Sequence, residues 1–507
     1  MRQIYAYMTI AILISGKGYA IGNQEYTYSV DTAFVEHHTI WSETNQKAWQ
    51  NPAVYGSAYS TSLTQLSLSG DYRKQSSAFL LQEGTGHFLA NIKAETYLRL
   101  SEKTTVWGEA SYSTGKKYNI TWNSTADASL LYPYIQADQQ GGDTQTEQYR
   151  FFGGYSSRLG QWRLGGEMKF RAEQTYRDID PRMRAIVNDL TLKAGATYTL
   201  KNYILGATLL ANIYKQTNDI TLYREAGGVT QYIMTGLGSH YERFADPKPN
   251  IYYKGAGANM ALDLQPVNQC GWFAHLSLGK KHYQRIMASL NSLPITTLYN
   301  QNVEVMAGWK HTGHHDLAVF SSWTFTKRIG DEHVAGIGSL NVYPIICDLT
   351  QYKNYTLNSY VSTLYGKANN WHAQVKIGFL SNRERYVYPE RQLNISYLYG
   401  EVKAQKFYAL SKCWTLSSEL SGLYMGNTDS KIVMPYANME EIFINMVDYN
   451  YNHLTADYLT IGLKVRASYR LNADSHQVLF AELGGHTTHC SLNENEMALR
   501  LSIGITF

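Results

Sequence analysis

With 507 residues, of which 42 are Tyr, 40 Gly and only 10 Pro, and with 17% charged side chains, the chain has the composition of strands and tight turns. A mean hydropathy of −0.34 excludes a bundle of membrane-spanning helices, but not a membrane barrel, whose strands turn only alternate residues to lipid. A net charge of +4 and the lack of any basic run leave no case for a nucleic-acid partner.

Arg2, the apolar run IYAYMTIAILISG and small residues at Gly18 and Ala20 predict an export signal over 1–20, cleaved after Ala20. No Cys follows that site, so the expected product is exported without a lipid anchor. No later window of about twenty apolar residues predicts a spanning helix.

From Leu63 onward, eighteen stretches alternate apolar and polar residues with a period of two, the mark of strands with one apolar face. The first nine span 63–72, 90–100, 104–114, 147–158, 161–173, 187–200, 202–214, 251–264 and 271–283. The other nine span 297–309, 315–327, 352–366, 370–380, 392–407, 411–426, 453–470, 474–486 and 495–507. In NIKAETYLRL, Ile92, Ala94, Leu98 and Leu100 oppose Lys93, Glu95 and Arg99; in WRLGGEMKFRA, Leu164, Met168 and Phe170 oppose Arg163, Glu167, Lys169 and Arg171. Links after even-numbered stretches are short (SEK, LGQ, KN), whereas those after odd-numbered ones are long, the largest being 115–146, 215–250, 328–351 and 427–452. That alternation predicts an all-β, antiparallel transmembrane barrel of about eighteen strands, with sixteen or fourteen as alternatives, in a bacterial outer membrane with both termini in the periplasm.

Unpaired backbone groups are costly in lipid, so such a sheet has to close on itself. Charged residues on the lipid side would cost roughly 2–4 kcal/mol each near the midplane. The phase of the pattern therefore places Lys93, Arg99, Arg163, Lys169, Arg171, Lys376, Lys464, Arg466 and Arg500 in the lumen, with Glu95, Glu109 and Glu167. Nine basic against three acidic groups predict anion preference if the lumen is open, or pairing with a plug if it is filled. The closing MALRLSIGITF turns its apolar face to lipid and ends on Phe507, and a terminal aromatic resembles the signal read by the barrel-assembly machinery.

Four segments in order, WGEASYSTGKKYNITWN (107–123), LLYPYIQADQQGGDTQTEQYRFFGGYS (130–156), YRDIDPRMR (176–184) and YKQTNDITLYREAGG (214–228), carry a resemblance. Together they are similar to an outer-membrane β-barrel family of unknown function typical of Bacteroidota. The resemblance implies the barrel and its membrane, and association with a TonB-dependent transporter or a surface lipoprotein, but no activity or catalytic residue. NPAVYG at 51–56 also resembles the Asn-Pro-Ala element that precedes the first strand of fatty-acid-transporter-like barrels. In such barrels the segment before the first strand often enters the lumen. Residues 21–60, with His37, His38, Trp41 and Trp49, are accordingly read as a plug or periplasmic segment, and 61–507 as the barrel.

No G-x-S-x-G, H-E-x-x-H, P-loop or C-x-x-C is present, so neither an enzyme nor a cofactor is predicted. Among the four cysteines, the strand map puts Cys347 and Cys490 in outer loops and makes them the exterior pair that could bond, with four free thiols as the alternative. HTTHC places His486, His489 and Cys490 in one short outer loop as candidate metal ligands. KHTGHHD (His311, His314 and His315) reads as a solvated periplasmic turn. Mixed charge in the outer loops, Asp138, Asp143, Arg177, Asp180, Arg182 and Arg184, fits either ligand recognition or loop-on-loop packing. The function expected is a channel or plugged transporter for a small or medium solute. The alternative is a non-transporting accessory or binding barrel of a TonB-dependent uptake or protein-export complex.

Overall fold

The computed structural model describes residues 32–224, 229–244, 250–340, 342–368, 370–435, 439–471 and 477–507. The expected export signal, and residues 21–31 of the expected plug, lie outside the described residues. A segment of helical turns comes first: α1 (Thr32–His38), 3-10 turns at Ile40–Thr44 and Ala48–Gln50, and α2 (Pro52–Tyr55). The wall follows with β1 (Leu63–Gln75), β2 (Gly86–Arg99) and β3 (Thr104–Ile120). A loop holding α3 (Ala128–Leu131) and the short β4 (Gln136–Ala137) leads to β5 (Gly142–Leu159), β6 (Trp162–Tyr176), β7 (Arg182–Leu200) and β8 (Tyr203–Thr221). The next loop carries β9 (Tyr232–Gly236) and β10 (Ser239–His240), which join β4 in a small sheet of their own.

Then come β11 (Ile251–Pro266), β12 (Gly271–Met287), β13 (Leu293–His311), β14 (Asp316–Ala335) and β15 (Ile345–Lys367). The wall continues with β16 (Trp371–Tyr386), β17 (Arg391–Ala409) and β18 (Trp414–Val433), and after α4 (Glu441–Leu454) ends with β19 (Tyr458–Arg470), β20 (Val478–Cys490) and β21 (Glu494–Thr506). Eighteen of these strands form one antiparallel sheet in which each pairs with its sequence neighbours. It closes where β21 pairs with β1, from Gln65↔Thr506 to Gln75↔Glu496. Below that seam Phe507 and Thr64 exchange two backbone hydrogen bonds of 2.8 and 3.2 Å.

The exterior explains itself only in lipid. Leu66, Phe151, Leu164, Met168, Leu209, Met260, Ile377, Leu501 and Ile503 are all exposed, on the faces that the period of two predicts. A closed sheet with an apolar outer band is a bacterial outer-membrane barrel. Trp162, Trp272 and Trp414 stand exposed beside the short turns, where an amphipathic ring suits the interface.

Every expected stretch is a strand of this wall, but most run several residues further at the long-loop end. β3 reaches Ile120 rather than 114, β8 Thr221 rather than 214, and β15 begins at Ile345 rather than 352. Above the apolar band both faces meet water or protein, so the ladder continues where the alternation has stopped. Asp143, Arg182 and Arg184, expected in loops, consequently sit on β5 and β7. Residues 453–454, expected to open a strand, instead end α4, whose Phe443, Met446 and Val447 are buried at helical spacing.

Two further expectations are corrected. HTTHC is the end of β20, not a loop, so its side chains alternate: His486 lies 3.2 Å from Glu496 on the lumen side, His489 bonds Asn495 at 2.9 Å, and Cys490 is buried. Among the described residues no group of three or more His, Cys, Asp or Glu is gathered as metal ligands. The Cys347–Cys490 bond is not formed, and all four cysteines are free thiols, because Cys347 lies exposed on the long β15 while Cys490 is buried on β20.

Candidate functional site

The lumen is occupied at both ends, by contacts of different character. At the short-turn end, the segment from Ala33 to Ser62 makes a circuit of the mouth. Phe34 of α1 packs on Phe407 of β17 and lies 4.8 Å from the guanidinium of Arg466 on β19. The Ile40 amide donates to Gln405, and Glu43 accepts from Gln374 and Lys403. Lys47 pairs with Glu304, and Asn45 accepts from the buried Lys310, which Gln265 also meets at 3.1 Å. Ile40 fills an apolar niche made by Phe273, Met306, Ala318, Phe320 and Leu364.

The Asn-Pro-Ala element then reaches the opposite wall. The Asn51 side chain accepts from the Ala53 amide at 2.9 Å, capping α2, and donates to the carbonyls of Ala207 at 3.1 Å and Ala196 at 3.4 Å. Close approach is allowed because the wall is bare there. A Cβ on Gly195 would stand 2.1 Å from Asn51 Oδ1, and one on Gly165 would stand 2.6 Å from the Pro52 carbonyl carbon. Beyond α2, Gly56 accepts through its carbonyl from Arg163 at 3.0 Å and Thr105 at 2.8 Å. Tyr55 and Tyr59 meet Tyr97 of the wall edge-on, Tyr55 meets Trp107 in the same way, and His37 stacks on Tyr59 with Trp49 tilted against it. Burial pushes the Tyr55 and Tyr59 phenols well up, so both stay protonated. His38 is pushed down to about 3, first by burial and then by Arg466. Its geometry suits the neutral ring: Nδ1–H donates to the Phe34 carbonyl at 2.9 Å, and Nε2 faces an Arg466 Nη at 3.4 Å.

The long-loop end is closed by a hydrophobic core. Trp122, Leu131, Tyr134, Ile135, Ile233, Met234, Phe443 and Val447, from inward-folded loops and α4, pack against Tyr214, Tyr253, Tyr283 and Tyr352 of the wall. Wall and loop arginines tie down loop carbonyls. Arg285 donates to Met234 and Arg391 to Leu237, while Arg328 reaches Leu130 and Tyr132, and Arg243 reaches Ala335 and Gly336. Arg177 and Asp138 form a fully buried ion pair at 2.9 Å, and Arg177 also binds the carbonyls of Asn123 and Pro181.

Within the outer closure, between the inward-folded loops, α4 and the wall, lies a cavity of about 490 Å³. It sits under the low side of the rim, where β1, β2, β19, β20 and β21 have only 13 or 14 residues against 23 in β15. Trp122, Ile135, Met234 and Leu393 give it an apolar side, and Arg73 and Lys117 bring positive charge beside the neutral ring of His87, with Glu83 and Glu384 also on the lining. Arg73 is held by Glu496 at 3.1 Å and Glu83 at 3.6 Å. Lys117 has no ion-pair partner among the described residues. The cavity's outer edge is the contact between loop 76–85 and α4, made by Tyr449 Oη on the Ala78 carbonyl at 2.8 Å and Asn450 on Gln82 and the Leu81 amide.

All twelve expected lumen residues point inward. Arg99, Arg163 and Arg466 hold the N-terminal segment, Arg99 through the Ser60 carbonyl at 2.7 Å. Arg171 reaches up to Asp127 in the outer loop and also meets Glu173 and Asp189. The others pair along the wall: Lys93 with Glu95, Lys169 with Glu167, Lys376 with Glu401, Lys464 with Glu482, and Arg500 with Asp71, while Glu109 accepts from Ser111. The nine-to-three count covers only part of the lumen: Asp71, Glu173, Asp189, Glu401 and Glu482 pair with its cations, and Lys193, Lys310, Lys403, Arg285 and Arg391 face inward as well. Of the outer charges, Asp143 pairs with Lys116, Asp180 with Arg182 and the amides of Tyr223 and Arg224, and Arg184 reaches Gln174. With Asp138–Arg177 these are packing contacts. Arg73, His87 and Lys117 were absent from the sequence reading; Arg73 and Lys117 lie just beyond the ends assigned to their strands, and His87 just before the start assigned to its own.

A family model matches residues 52–507. The chain belongs to DUF6850, a family of unknown function. No curated protein matches it. Among solved structures, this DUF6850 chain is similar to the ferric preacinetobactin receptor of Acinetobacter baumannii, at 10% identity and a TM-score of 0.41, covering 88% of this chain and 80% of that one. It is similar likewise to a mutant ferric enterobactin receptor of Pseudomonas aeruginosa, at 10% identity and 0.39, and to the ferric yersiniabactin uptake receptor of Yersinia pestis, at 9% and 0.33, with 88% and 80% covered in both.

Proposed function

We propose that this barrel is a gated transporter for a small or medium solute, with residues 32–62 as its plug and the 490 Å³ cavity as its solute site. The observation that carries this reading is the plug's attachment by separate polar contacts to strands all round the mouth. Each such contact is worth about 0.5–1.5 kcal/mol net, because water replaces it when it breaks. The plug's apolar contacts, Ile40 in its niche, Phe34 on Phe407 and Tyr55 and Tyr59 on Tyr97, add a cost that an opening force would have to meet as well. The cavity's volume falls within the range of small-molecule sites, and its cationic side favours an anionic or amphipathic solute. A periplasmic partner of the TonB type, pulling on the segment ahead of α1, would supply the opening force.

Planar-bilayer recording tests this. The full chain is expected to be silent, and removal of residues 32–56 combined with Tyr449→Phe and Asn450→Ala, which release the outer seam, to give stable openings. A silent combined variant that still migrates as a folded, heat-modifiable barrel would refute the gate. It would favour the second reading, an accessory barrel that binds without conducting, for which the apolar closure of the outer end is the supporting feature.

A further inference from the structure

Lys215 on β8 stands directly opposite Lys254 on β11 in the ladder, and both are exposed. Their neighbours Tyr214, Gln216 and Tyr253 are buried on the lumen side, so alternation turns both lysines outward. Like charges facing each other across a sheet repel. Neither has a carboxylate partner among the described residues, and Lys254 rests instead over the ring of Tyr252 at 5.3 Å. A second basic row adjoins the pair. Lys280, Gln301, Lys327, Tyr355 and Arg383 follow one another in register across β12 to β16. Successive cations there are two strands, about 10 Å, apart. These three also lack ion-pair partners among the described residues. Elsewhere on the same rim several cations are neutralised, Lys116 by Asp143 at 2.8 Å, Arg182 by Asp180 at 3.3 Å and Arg385 by Glu390 at 3.0 Å, while Arg184 stands alone with Gln174 rather than in a row.

Height identifies what this unneutralised arc faces. The five cations lie roughly nine to twelve residues above the short-turn ends of their strands, which at barrel tilt is about 23–30 Å. The apolar band of such a wall is about 25 Å tall, so their level is the outer headgroup layer. Directly below, the apolar wall is hollowed. Two depressions of about 800 and 510 Å³ share Ala194, Leu209, Met260 and Leu278. Alanines floor the trough, and leucines and Met260 form its sides. It extends from Leu164 on β6 to Val303 on β13, and Lys280 and Gln301 close its upper end. Six strands are about 24 Å across, several times the width of one acyl chain.

The geometry points to a binding site on this outer face for a phosphorylated, multiply acylated glycolipid of the outer leaflet. Its acyl chains lie in the alanine-floored trough, and its phosphates neutralise the Lys215–Lys254 pair and Lys280. Charge complementarity selects an anionic head, and the breadth of the trough selects several chains over one or two.

Native mass spectrometry of the full chain in detergent, incubated in turn with lipid A, dephosphorylated lipid A and phosphatidylglycerol, tests this. A one-to-one adduct is expected with lipid A, retained at least tenfold better than with either other lipid. Combining Lys215→Gln, Lys254→Gln and Lys280→Gln should lower retention at least tenfold, and Ala258→Trp, which fills the trough without touching charge, should do the same. Heat-modifiable migration checks that each variant is folded. Equal retention of dephosphorylated lipid A overturns the phosphate contacts, equal retention of phosphatidylglycerol overturns the glycolipid, and unchanged retention by both folded variants overturns the site.

Discussion

Replacing Asn51 by Ala isolates one contact of the plug. The change removes the cap on the Ala53 amide, about 1 kcal/mol, and the donations to Ala207 and Ala196, together about 1–2 kcal/mol because the second is long. Docking of residues 51–56 should weaken by about 2–3 kcal/mol, which multiplies the undocked population by about 30–150. The Tyr55 and Gly56 amides report it cleanly. They bond the carbonyls of Asn51 at 2.9 Å and Pro52 at 3.1 Å, contacts that the substitution leaves in place. Their hydrogen exchange, measured by mass spectrometry on folded protein, should quicken by the same factor. Gly195→Ala attacks the same contact from the wall, since the new methyl would meet Asn51 Oδ1 at 2.1 Å. Because Asn51→Ala removes the very oxygen that clashes, the double variant should fall short of the sum of the two. Exchange within threefold of the parent in Asn51→Ala, or strict additivity in the double variant, would refute this account of how the segment is held.

Acid should loosen α1. The folded His38 value of about 3 lies below the unfolded 6.5, so the neutral ring's contribution is complete above pH 6.5 and is lost as pH falls towards 3. From pH 7 to 5 the loss is about 2 kcal/mol, read as faster intrinsic-rate-corrected exchange of residues 34–38; His38→Gln should flatten that dependence. Arg285→Ala leaves the Met234 carbonyl without its 2.6 Å donor and opens a void beside Tyr134, at a cost of about 3 kcal/mol. External protease should then cut within 229–244 of the folded protein, and unchanged resistance would mean that the arginine does not hold this loop. Deleting Phe507 removes the last backbone pair of the seam, with Thr64. Membrane-inserted, heat-modifiable protein should fall several-fold, and normal levels would contradict its role as an assembly signal.

The wall was legible because lipid imposes a rule on every second residue, and Ile92 or Leu501 obeys it without reference to any neighbour. That rule ends at the headgroups, which is why Arg73, Lys117 and Tyr118 escaped their strands and the cavity's cationic side was missed. Lumen charges could be assigned a direction but not a partner. Lys93 and Glu95 lie two apart on one strand, whereas Lys403 meets Glu43 across hundreds of residues of sequence. The outer closure was illegible for a different reason. Leu131, Ile233 and Phe443 belong to segments with no common period, and only the barrel's enclosure brings them into one core. Asn51 was noticed as part of a resemblance, but its function depends on Gly165 and Gly195, glycines that look like any others in an alternating strand.

The difference between the two closures decides which part of the molecule can move. Each large side chain of the outer core, such as Trp122, Met234 or Phe443, gains about 1.5–3 kcal/mol from burial and regains nothing from water if expelled. Arginines such as Arg285 would in addition leave their carbonyls unpaired in an apolar surrounding. That end is therefore a fixed dome on the tall side of the barrel. The plug, and the seam between loop 76–85 and α4 at the low rim, combine smaller apolar contacts, such as those of Ile40 and Phe79, with many polar ones that water can satisfy. One movable contact thus adjoins the cavity from outside and the other closes the periplasmic mouth. A solute entering at the low rim would meet Arg73, His87 and Lys117 first, and only release of the plug would give it a way on.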